Sequence, residues 1–235
     1  GRPEPVFDMV IMDEASQCNT AMSLVPILRG NSLMLVGDPQ QLSPVIVLDP
    51  KDNETLRRRY RVTPEYDYIA NSIYKCFLAC DAISDEVLLS WHYRCHPRII
   101  QFNNRKYYNN KLHIASQVQS DKPLVYVEIP NDTTDEKNTA PEVEMIRRYL
   151  DKYPERSVGI ITPFARQREC IENLLKVHGY ANASCGTVHA FQGDEKDVVI
   201  FSLAVTDRTR PETYKWLKDN KELINVATSR AREQL

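Results

Sequence analysis

The chain has 235 residues, enough to bury a sizeable core in one domain or two. Hydrophobic residues make up 42%, charged residues 26% and the net charge is −2, so any nucleic-acid-binding surface must be a local patch. No apolar run approaches the ~20 residues that cross a bilayer, and the polar start GRPEPVFD is not that of a signal peptide. Six scattered cysteines are typical of a reducing compartment, so we expect a soluble intracellular protein (cytoplasmic, nucleoid or nuclear) without a membrane partner.

The first stretch, residues 6–45, contains two short apolar runs that end in acidic residues. One run stops at Asp13 and Glu14, and the other stops at Gly37 and Asp38. Two buried strands of this kind would place their polar ends on one edge of a sheet, where open α/β sheets bind ligands. In nucleotide hydrolases an Asp at such a strand end holds Mg²⁺, and a neighbouring Glu can align or deprotonate the attacking water. The stretch therefore predicts half of an ATP site.

Hydrophobic periodicity predicts the elements that follow. Strands and helices alternate after residue 80, which indicates a parallel sheet covered on both faces. Ile99, Ile100 and Phe102 are expected to face inward from one helix, and Gly179 is well placed to end another. Helices are expected within residues 15–28 and near 68–79, 98–108, 142–153, 166–178 and 220–231, and strands near 124–129, 158–161, 185–188 and 198–205.

Two local patterns leave alternatives open. The arginine-rich sequence LRRRYR at residues 56–61 is either a solvated helix face or part of a phosphate-contacting surface. Cys76 and Cys80, followed in the chain by Cys95 and His96, have the residue types of a zinc site. Because the first two cysteines fall on the inward stripe of a predicted helix, where free cysteine packs well, core packing is the other interpretation.

Six motifs occur in a fixed order along nearly the whole chain. They are VIMDEASQ at 10–17, LVGDPQQLSPV at 35–45, YRCHP at 93–97, IITPFARQ at 160–167, VHAFQGDEKDVVIFSLAVT at 188–206 and NVATSRAR at 225–232. Together they resemble superfamily 1 helicases, in particular the 5′-to-3′ branch that includes the nonsense-mediated-decay RNA helicase and senataxin. The resemblance implies ATP-driven translocation along single-stranded DNA or RNA.

The same resemblance implies an α/β fold of the RecA-like, P-loop NTPase type, with a parallel sheet and helices on both of its faces. Residues 1–48 would be the C-terminal remnant of a first RecA-like domain, and residues 49–80 a connecting helical segment. Residues 81–235 would form the second RecA-like helicase domain. Both chain ends look cut, so we expect a fragment of a longer protein.

Three residues of the first domain are implied to act on ATP. Asp13 would bind Mg²⁺ through water, Glu14 would be the general base, and Gln41 would sense the γ-phosphate. Each lies in a motif that matches the family pattern at that position.

Four residues of the second domain are implied to complete the nucleotide site. Arg94 and Arg230 would be arginine fingers, which stabilise the charge that develops in phosphoryl transfer. Gly193 would let the backbone approach the γ-phosphate, and Glu195 would accept a hydrogen bond from the ribose.

The implied contacts with nucleic acid involve short polar side chains, which suit the sugar-phosphate backbone and carry no sequence information. Gln192 would sit between the nucleotide and the nucleic acid. Trp91 and Tyr93 could stack on bases, although we expect them to pack in the core beside Arg94. The residues expected at the nucleic-acid backbone are Ser43, Thr162, Pro163, Gln167 and His189.

The sequence departs from the family pattern in several places. His92 replaces a usual Gln, Cys95 replaces a usual Met, and Thr228–Ser229 replaces a more frequent Leu-Thr. No stretch matches GxxxxGK[ST], the loop that cradles phosphates. We therefore expect the chain alone to hydrolyse ATP negligibly. A catalytically silent nucleic-acid-binding or scaffolding module is the alternative.

Overall fold

The computed structural model describes residues 4–81, 83–130, 139–191 and 193–235. The chain divides into two compact units, residues 1–88 and residues 89–235. Gln192, which was expected to lie between nucleotide and nucleic acid, is outside the described residues. Within the described ranges no helix is both long enough and apolar enough to cross a membrane.

In its described residues, the first unit combines a small parallel sheet with three α-helices and two short 3₁₀ helices. Its elements are β1 (Phe7–Met12), a 3₁₀ helix (Ala15–Gln17), α1 (Thr20–Ile27), β2 (Gly30–Leu35), α2 (Pro50–Tyr60), a second 3₁₀ helix (Pro64–Tyr66) and α3 (Ile73–Cys80). Strands β1 and β2 pair in parallel, with Met12 opposite Leu35. Their carboxyl ends therefore lie side by side, as the sequence predicted.

Each α-helix of the first unit begins at a side-chain cap. Asn19, Asp49 and Ser72 accept hydrogen bonds from backbone amides in the first turns of α1, α2 and α3, at 2.9, 2.8 and 3.2 Å. These side chains satisfy amide groups that have no partner within a helix. Pro26 lies in the last turn of α1.

The prediction that β1 and β2 are buried strands is wrong for this structure. The side chains of Phe7, Met9 and Ile11 on β1 are exposed, and so is that of Met34 on β2. The physical reason is that the two strands pair only with each other among the described residues, so most of their apolar side chains stay uncovered.

The second unit is an α/β domain built on a four-stranded parallel sheet, whose strands lie in the order Ala183–Gly186, Val158–Ile161, Lys196–Phe201 and Ala231–Gln234. A separate parallel pair, Trp91–His92 with His113–Ile114, precedes it in the chain. The elements are β3 (Trp91–His92), α4 (Pro97–Tyr107), β4 (His113–Ile114), α5 (Ala140–Lys152), β5 (Val158–Ile161), α6 (Ala165–His178), β6 (Ala183–Gly186), a 3₁₀ helix (Val188–Phe191), β7 (Lys196–Phe201), α7 (Pro211–Asp219), α8 (Lys221–Thr228) and β8 (Ala231–Gln234).

The core of this unit lies where helices pack on the central strand. All four residues of β5 are buried, as expected for a strand covered on both faces. Ile146 and Leu150 of α5 and Ile171 of α6 pack in one buried cluster with residues of β5 and β7. Gly179 ends α6 in the left-handed conformation, with φ 70°, which confirms its predicted role.

Three local predictions for this unit are wrong. Residues 124–129 form no strand. Among the described residues, this stretch and Pro123 before it make backbone hydrogen bonds with a distant part of the chain only at Leu235, which accepts from the Val125 amide at 2.8 Å and donates to the Pro123 carbonyl at 2.9 Å. The last helix ends at Thr228, and β8 follows where no strand was expected, because its sequence AREQ lacks the β-branched residues that signal one. Phe102 is 46% exposed, because the buried stripe of α4 runs instead through Ile99, Ile100, Asn103, Asn104 and Tyr107.

The prediction that Trp91 and Tyr93 pack in the core is also wrong. They are 62% and 66% exposed. Because the two residues are separated by one position on an extended segment, their rings lie on the same side, with centroids 6.5 Å apart. The ring of His113 on β4 lies 5.0 Å from that of Trp91, so the aromatic side chains pack on each other at the surface.

Candidate active site

The carboxylate pair of the first unit lies at the end of β1, beside the loop that follows β2. The amide of Val36 donates to the carbonyl of Met12, and the amide of Ala15 donates to the carbonyl of Val36, both at 2.8 Å. The sheet ladder therefore continues past both strands and fixes the backbone on either side of Asp13 and Glu14. These two side chains are exposed at the carboxyl edge of the sheet.

Glu14 has an unusual backbone conformation. Its φ of 50° and ψ of 36° lie in the left-handed region, which a residue other than glycine seldom adopts. The Asp13 Oδ1 atom accepts a hydrogen bond from the Glu14 amide at 2.8 Å, and the Glu14 Oε2 atom accepts one from Gln17 at 2.8 Å. The strained turn and the two hydrogen bonds hold the carboxylates of adjacent residues in defined directions.

Gln41 is held by Asp38 in the second loop at this edge. The Gln41 Nε2 atom donates to Asp38 Oδ2 at 2.9 Å, and the Asp38 amide donates to the Ser16 hydroxyl at 3.3 Å. A side chain at Gly37 would place its Cβ 2.8 Å from the Ser16 amide nitrogen, so the close approach of the two loops requires glycine there. The structure thus joins the loop that carries Gln41 to the turn that follows Glu14.

Asp13 has the properties of a magnesium ligand. Its carboxylate is exposed, at the end of a parallel strand. Mg²⁺ is usually bound through one or two carboxylates together with water and substrate phosphates. One accessible carboxylate at this position therefore fits the ion that the sequence predicted. The described part of the chain contains no cluster of three or more His, Cys, Asp or Glu side chains with the geometry of a closed metal site, such as a zinc site.

Three distant segments of the second unit meet around the residues expected to bind nucleotide. The His96 amide donates to the Arg232 carbonyl at 2.7 Å, and the Cys95 thiol donates to the Ser229 carbonyl at 3.2 Å. The Lys196 amide donates to the carbonyl of Arg230 at 3.1 Å. Residues 92–96, 193–197 and 229–232 are thereby brought together, although up to 140 positions separate them in the sequence.

Arg94 and Glu195 form an ion pair within this cluster. The Arg94 Nε atom lies 2.8 Å from Glu195 Oε2, and both side chains remain partly exposed. Gly193 stands two residues before Glu195 with φ 78°, and no atom lies within 4 Å of where its Cβ would be. Arg94, predicted to stabilise charge on the phosphates, therefore contacts Glu195, predicted to bind the ribose. The backbone at Gly193, beside this pair, is accessible.

Arg230 occupies a different environment from Arg94. It is only 4% exposed, its Nε atom donates to the Val226 carbonyl at 3.3 Å, and its Nη1 atom approaches the Asp194 carbonyl at 3.5 Å. Asp194 itself has a pKa below its usual value, because Lys196 donates a hydrogen bond to its carboxylate. The structure thus brings Arg230 into the cluster of Arg94 and Glu195, with most of its side chain covered.

Two residues at which the chain departs from the family pattern form part of the packing behind Arg94. Burial, helped by the charge of Arg94, lowers the pKa of His92 to about 4. Its Nε2 atom accepts a hydrogen bond from the Cys95 amide at 2.9 Å, which requires the neutral ring. Burial raises the pKa of Cys95 to about 12, so this thiol is also neutral. Both positions support the backbone turn that presents Arg94.

The residues expected to contact nucleic acid differ in exposure. His189 and Ser43 are exposed, and Pro163 is half-buried. Thr162 and Gln167 are completely buried at the carboxyl end of β5 and in α6. A direct contact between either of these two side chains and a bound strand would require the surrounding packing to open.

Gln167 is the centre of a buried hydrogen-bond network that the sequence did not indicate. Its Oε1 atom accepts from the Thr139 amide at 2.9 Å, and its Nε2 atom donates to the Ser202 hydroxyl at 2.9 Å. The Ser202 hydroxyl in turn donates to Glu142 at 2.5 Å. This network links α5, α6 and the end of β7, so Gln167 positions the loop that contains Thr162 and Pro163.

Comparison with known proteins identifies the class to which this RecA-like fold belongs. Two family models, each described as an AAA domain, match residues 69–235 and residues 3–48. The chain is 25% identical over 260 residues to an uncharacterised ATP-dependent helicase of Methanocaldococcus jannaschii, covering 97% of this chain and 35% of that protein. It is 24% identical over 260 residues to helicase SEN1 of Saccharomyces cerevisiae, covering 97% of this chain and 11% of that protein.

A third relative is also named as a helicase, and one solved structure has a similar fold. The RNA helicase Mov10l1 of Mus musculus is 24% identical over 269 residues, covering 97% of this chain and 22% of that protein. A structure described as that of PRRSV helicase aligns with a TM-score of 0.50 and 20% identity, covering 95% of this chain and 33% of that one. The chain therefore belongs to the AAA-domain family of superfamily 1 helicases, and it spans 11% to 35% of the length of the relatives named here.

Proposed function

We propose that this chain is part of the motor of an ATP-dependent helicase that translocates along single-stranded nucleic acid. The observation that carries the proposal is the meeting of Arg94, Glu195 and Arg230, which lie far apart in the sequence and gather at one place in the second unit. Phosphoryl transfer is catalysed mainly by positioning and by stabilising charge, and guanidinium groups serve that purpose. This grouping supports a role in nucleotide hydrolysis rather than in binding alone.

In this proposal the first unit prepares the attacking water and the second unit stabilises charge. Glu14 is the general base and is oriented by its left-handed backbone and by Gln17. Asp13 would hold Mg²⁺, which neutralises charge on the phosphates of ATP when it is bound. Gln41 senses the terminal phosphate through a loop that Asp38 and Ser16 tie to the turn after Glu14.

Arg94 is the arginine finger that the geometry favours most. Its guanidinium group is partly exposed and has a carboxylate partner, Glu195, that a phosphate can replace. Glu195 would then be free to accept a hydrogen bond from the ribose. Arg230 is largely buried, so in this proposal it contacts the phosphate after a local rearrangement.

The nucleic-acid strand would contact the exposed members of the predicted set. Ser43 and His189 are accessible, and Pro163 is partly so. Thr162 and Gln167 would act indirectly, by holding the loop at the end of β5. Backbone contacts of this type serve DNA and RNA alike, and discrimination would depend on reading the 2′-hydroxyl.

The test is ATP hydrolysis by the full-length protein with and without single-stranded DNA and RNA. We expect stimulation by at least one of them, and loss of hydrolysis by at least about 10²-fold in Glu14→Gln, since general-base catalysis is worth about 10²–10⁴-fold. Asp8→Asn, an exposed acidic residue on β1, is the matched control and should retain activity. The 235-residue chain alone should show no hydrolysis above background.

One result would contradict the proposal, and another would contradict the expected inactivity of the chain alone. A full-length protein that binds single strands but hydrolyses no ATP would be the silent binding module considered above. Hydrolysis by the isolated chain that disappears in Glu14→Gln would show that the chain needs no further phosphate-binding loop.

A further inference from the structure

Lys75, in the first turn of α3, lies beside the loop that carries Ser43, one of the residues expected at the nucleic-acid backbone. The Lys75 Nζ atom is 3.5 Å from the Ser43 hydroxyl oxygen. The ring of Tyr74 packs against the backbone at Gly37, where an added Cβ would lie 3.3 Å from it, and Leu42, which precedes Ser43, is buried. The fold of the first unit therefore places an ammonium group and a hydroxyl group side by side.

The hydrogen-bonding capacity of this pair is only partly used. A lysine ammonium group has three donors and no acceptor, whereas a serine hydroxyl group has one donor and two acceptor positions. When Lys75 donates to Ser43 Oγ, the hydroxyl proton of Ser43 points away from the ammonium group. Among the described residues, no carboxylate lies within 4.0 Å of Lys75 Nζ, and the Ser43 hydroxyl donates to no protein group. Both side chains thus retain donors for an anion from outside the protein.

The arginine-rich stretch of α2, the other candidate for phosphate contact in this unit, has different surroundings. Arg57 Nη1 lies 2.6 Å from Asp67 Oδ2, and Arg58 Nε lies 2.7 Å from Glu54 Oε1. A phosphate would have to displace these carboxylates, whereas it could approach Lys75 without displacing one. The cation next to the predicted strand-binding loop is therefore also the more available one.

The position of Lys75 in α3 is not explained by the stability of the helix. Ser72 caps α3 by accepting a hydrogen bond from the Lys75 amide at 3.2 Å. Three residues after such a cap, a Glu or Gln side chain commonly returns a hydrogen bond to the cap amide, and the positive end of the helix dipole favours an acidic group. A lysine makes no such hydrogen bond and is disfavoured by the dipole. The sequence thus keeps a cation where helix formation favours an acid, as expected if the cation has a binding role.

We propose that Lys75 and Ser43 together bind one phosphate of the single-stranded nucleic acid. The ammonium group supplies the opposite charge, and the hydroxyl group donates a second hydrogen bond to the same phosphate. The inference rests on the proposed function, because it adds a residue to the strand-binding surface that a translocating motor requires. Since every nucleotide carries the same phosphate, the contact serves DNA and RNA and carries no sequence information.

The test is fluorescence anisotropy of labelled oligothymidylate DNA and oligouridylate RNA with the full-length protein, over a range of salt concentrations. Lys75→Ala should bind about tenfold more weakly at low salt, as the loss of one hydrogen bond between charged groups predicts. The slope of log affinity against log salt concentration should fall in magnitude by about 0.7, the value for one phosphate contact on a single strand. Binding of oligoadenylate should weaken by the same factor, because the phosphate is the same.

Three further variants separate a phosphate contact from a structural role. Lys75→Glu places an acid at the favoured capping position, so the midpoint of thermal unfolding should not fall, yet strand binding should be weaker than in Lys75→Ala. Lys75→Arg keeps the charge and should retain most of the affinity. Lys51→Ala removes an exposed lysine from the first turn of α2, is the matched control and should bind within about twofold of the wild type.

ATP hydrolysis by the full-length protein distinguishes a binding residue from a catalytic one. Lys75→Ala should raise the strand concentration that gives half-maximal stimulation, while the rate at saturating strand stays within about twofold of the wild type. A loss of the saturated rate with unchanged strand affinity would place Lys75 in catalysis and would overturn the inference.

The inference alone is overturned if the wild type binds single strands and both Lys75→Ala and Lys75→Glu bind them as tightly as Lys51→Ala, with an unchanged salt slope. A weaker Lys75→Ala that keeps the wild-type salt slope would also overturn it, because Lys75 would then act only by holding the loop. A full-length protein that binds no single strand overturns this inference together with the proposed function.

Discussion

The ion pair between Arg94 and Glu195 is the residue-scale feature that bears most directly on mechanism. An exposed ion pair of this kind contributes little to stability, about 0–1 kcal/mol. It nevertheless holds the guanidinium group of Arg94 in one direction at a distance of 2.8 Å. We infer that Glu195 acts as a positioning residue in the absence of nucleotide, and that phosphate competes with it for Arg94.

Replacing Arg94 should separate catalysis from strand binding. In the full-length protein, Arg94→Ala is expected to lower nucleic-acid-stimulated ATP hydrolysis by about 10³-fold or more, the usual value of an arginine finger. Arg94→Lys should retain little of the ATP hydrolysis, because an ammonium group lacks the planar, forked arrangement of donors in a guanidinium group. Steady-state ATPase assays measure both effects, and filter binding measures affinity for the single strand.

The control for Arg94 is Arg98→Ala. Arg98 is an exposed arginine in the first turn of α4, four positions along the chain, and its loss should leave hydrolysis within about twofold. If Arg94→Ala hydrolysed ATP as fast as Arg98→Ala, Arg94 would have no role as a finger.

His92 makes the stability of the chain depend on pH. Its pKa is lowered from 6.5 to about 4, chiefly by burial, so below pH 6.5 the unfolded state binds a proton that the folded state does not. The folded state is therefore destabilised as the pH falls from about 6.5 towards about 4, and below that both states are protonated. Because His92 keeps some exposure, we expect an effect of about 1 kcal/mol or more rather than the full shift.

Replacing His92 should remove this part of the pH dependence. In His92→Gln the amide oxygen can accept the hydrogen bond from the Cys95 amide without titrating. The free energy of unfolding, measured by urea denaturation at pH 4.5 and pH 7, should differ less in the variant than in the wild type. An unchanged difference would mean that His92 does not control the acid sensitivity.

At the scale of elements, α4 and α8 are joined by a buried amide network. Asn103 is completely buried, and its Nδ2 atom donates to the Asn225 Oδ1 atom and the Thr228 hydroxyl at 2.8 Å each, and to the Asn225 carbonyl at 3.0 Å. The first helix follows Arg94 in the chain and the second precedes Arg230. The network thus fixes the two segments from which these arginines project.

Asn103→Ala should destabilise the second unit. The substitution leaves the Asn225 and Thr228 acceptors buried without their donor, at a cost of about 1–3 kcal/mol. Gln101→Ala, on the exposed side of the same helix, is the control and should change the free energy of unfolding by less than about 0.5 kcal/mol. Urea denaturation followed by circular dichroism compares the two, and equal midpoints would show that the network carries no net stability.

Helix positions were predictable to different degrees. The bounds of α5 and α6 agree closely with the sequence pattern, because long apolar stripes and the glycine at residue 179 mark them. Phe102 was misplaced, since a large aromatic residue scores as core by type while the polar Asn103 lies inside. Burial of Asn103 depends on partners in α8, 122 positions away, which no local pattern shows.

At the scale of the whole molecule, the two units differ in how completely they cover their strands. In the second unit, β5 is wholly buried between helices and neighbouring strands. In the first unit, β1 and β2 expose apolar side chains, among them Phe7, Ile11 and Met34. This difference is consistent with the proposal that the chain is part of a helicase motor. The chain spans 35% and 11% of the length of the two relatives named first.

The sequence by itself determined the class of this protein: the α/β alternation, the parallel strands and the helicase family follow from hydrophobic periodicity and from motifs whose residues are local in the chain. Only the tertiary structure decided which side chains are accessible. It buried Gln167 and Arg230, exposed Trp91 and Tyr93, and paired Arg94 with Glu195. The reason is physical: burial and pairing depend on contacts between segments far apart in the chain, whereas periodicity records only what each segment prefers alone.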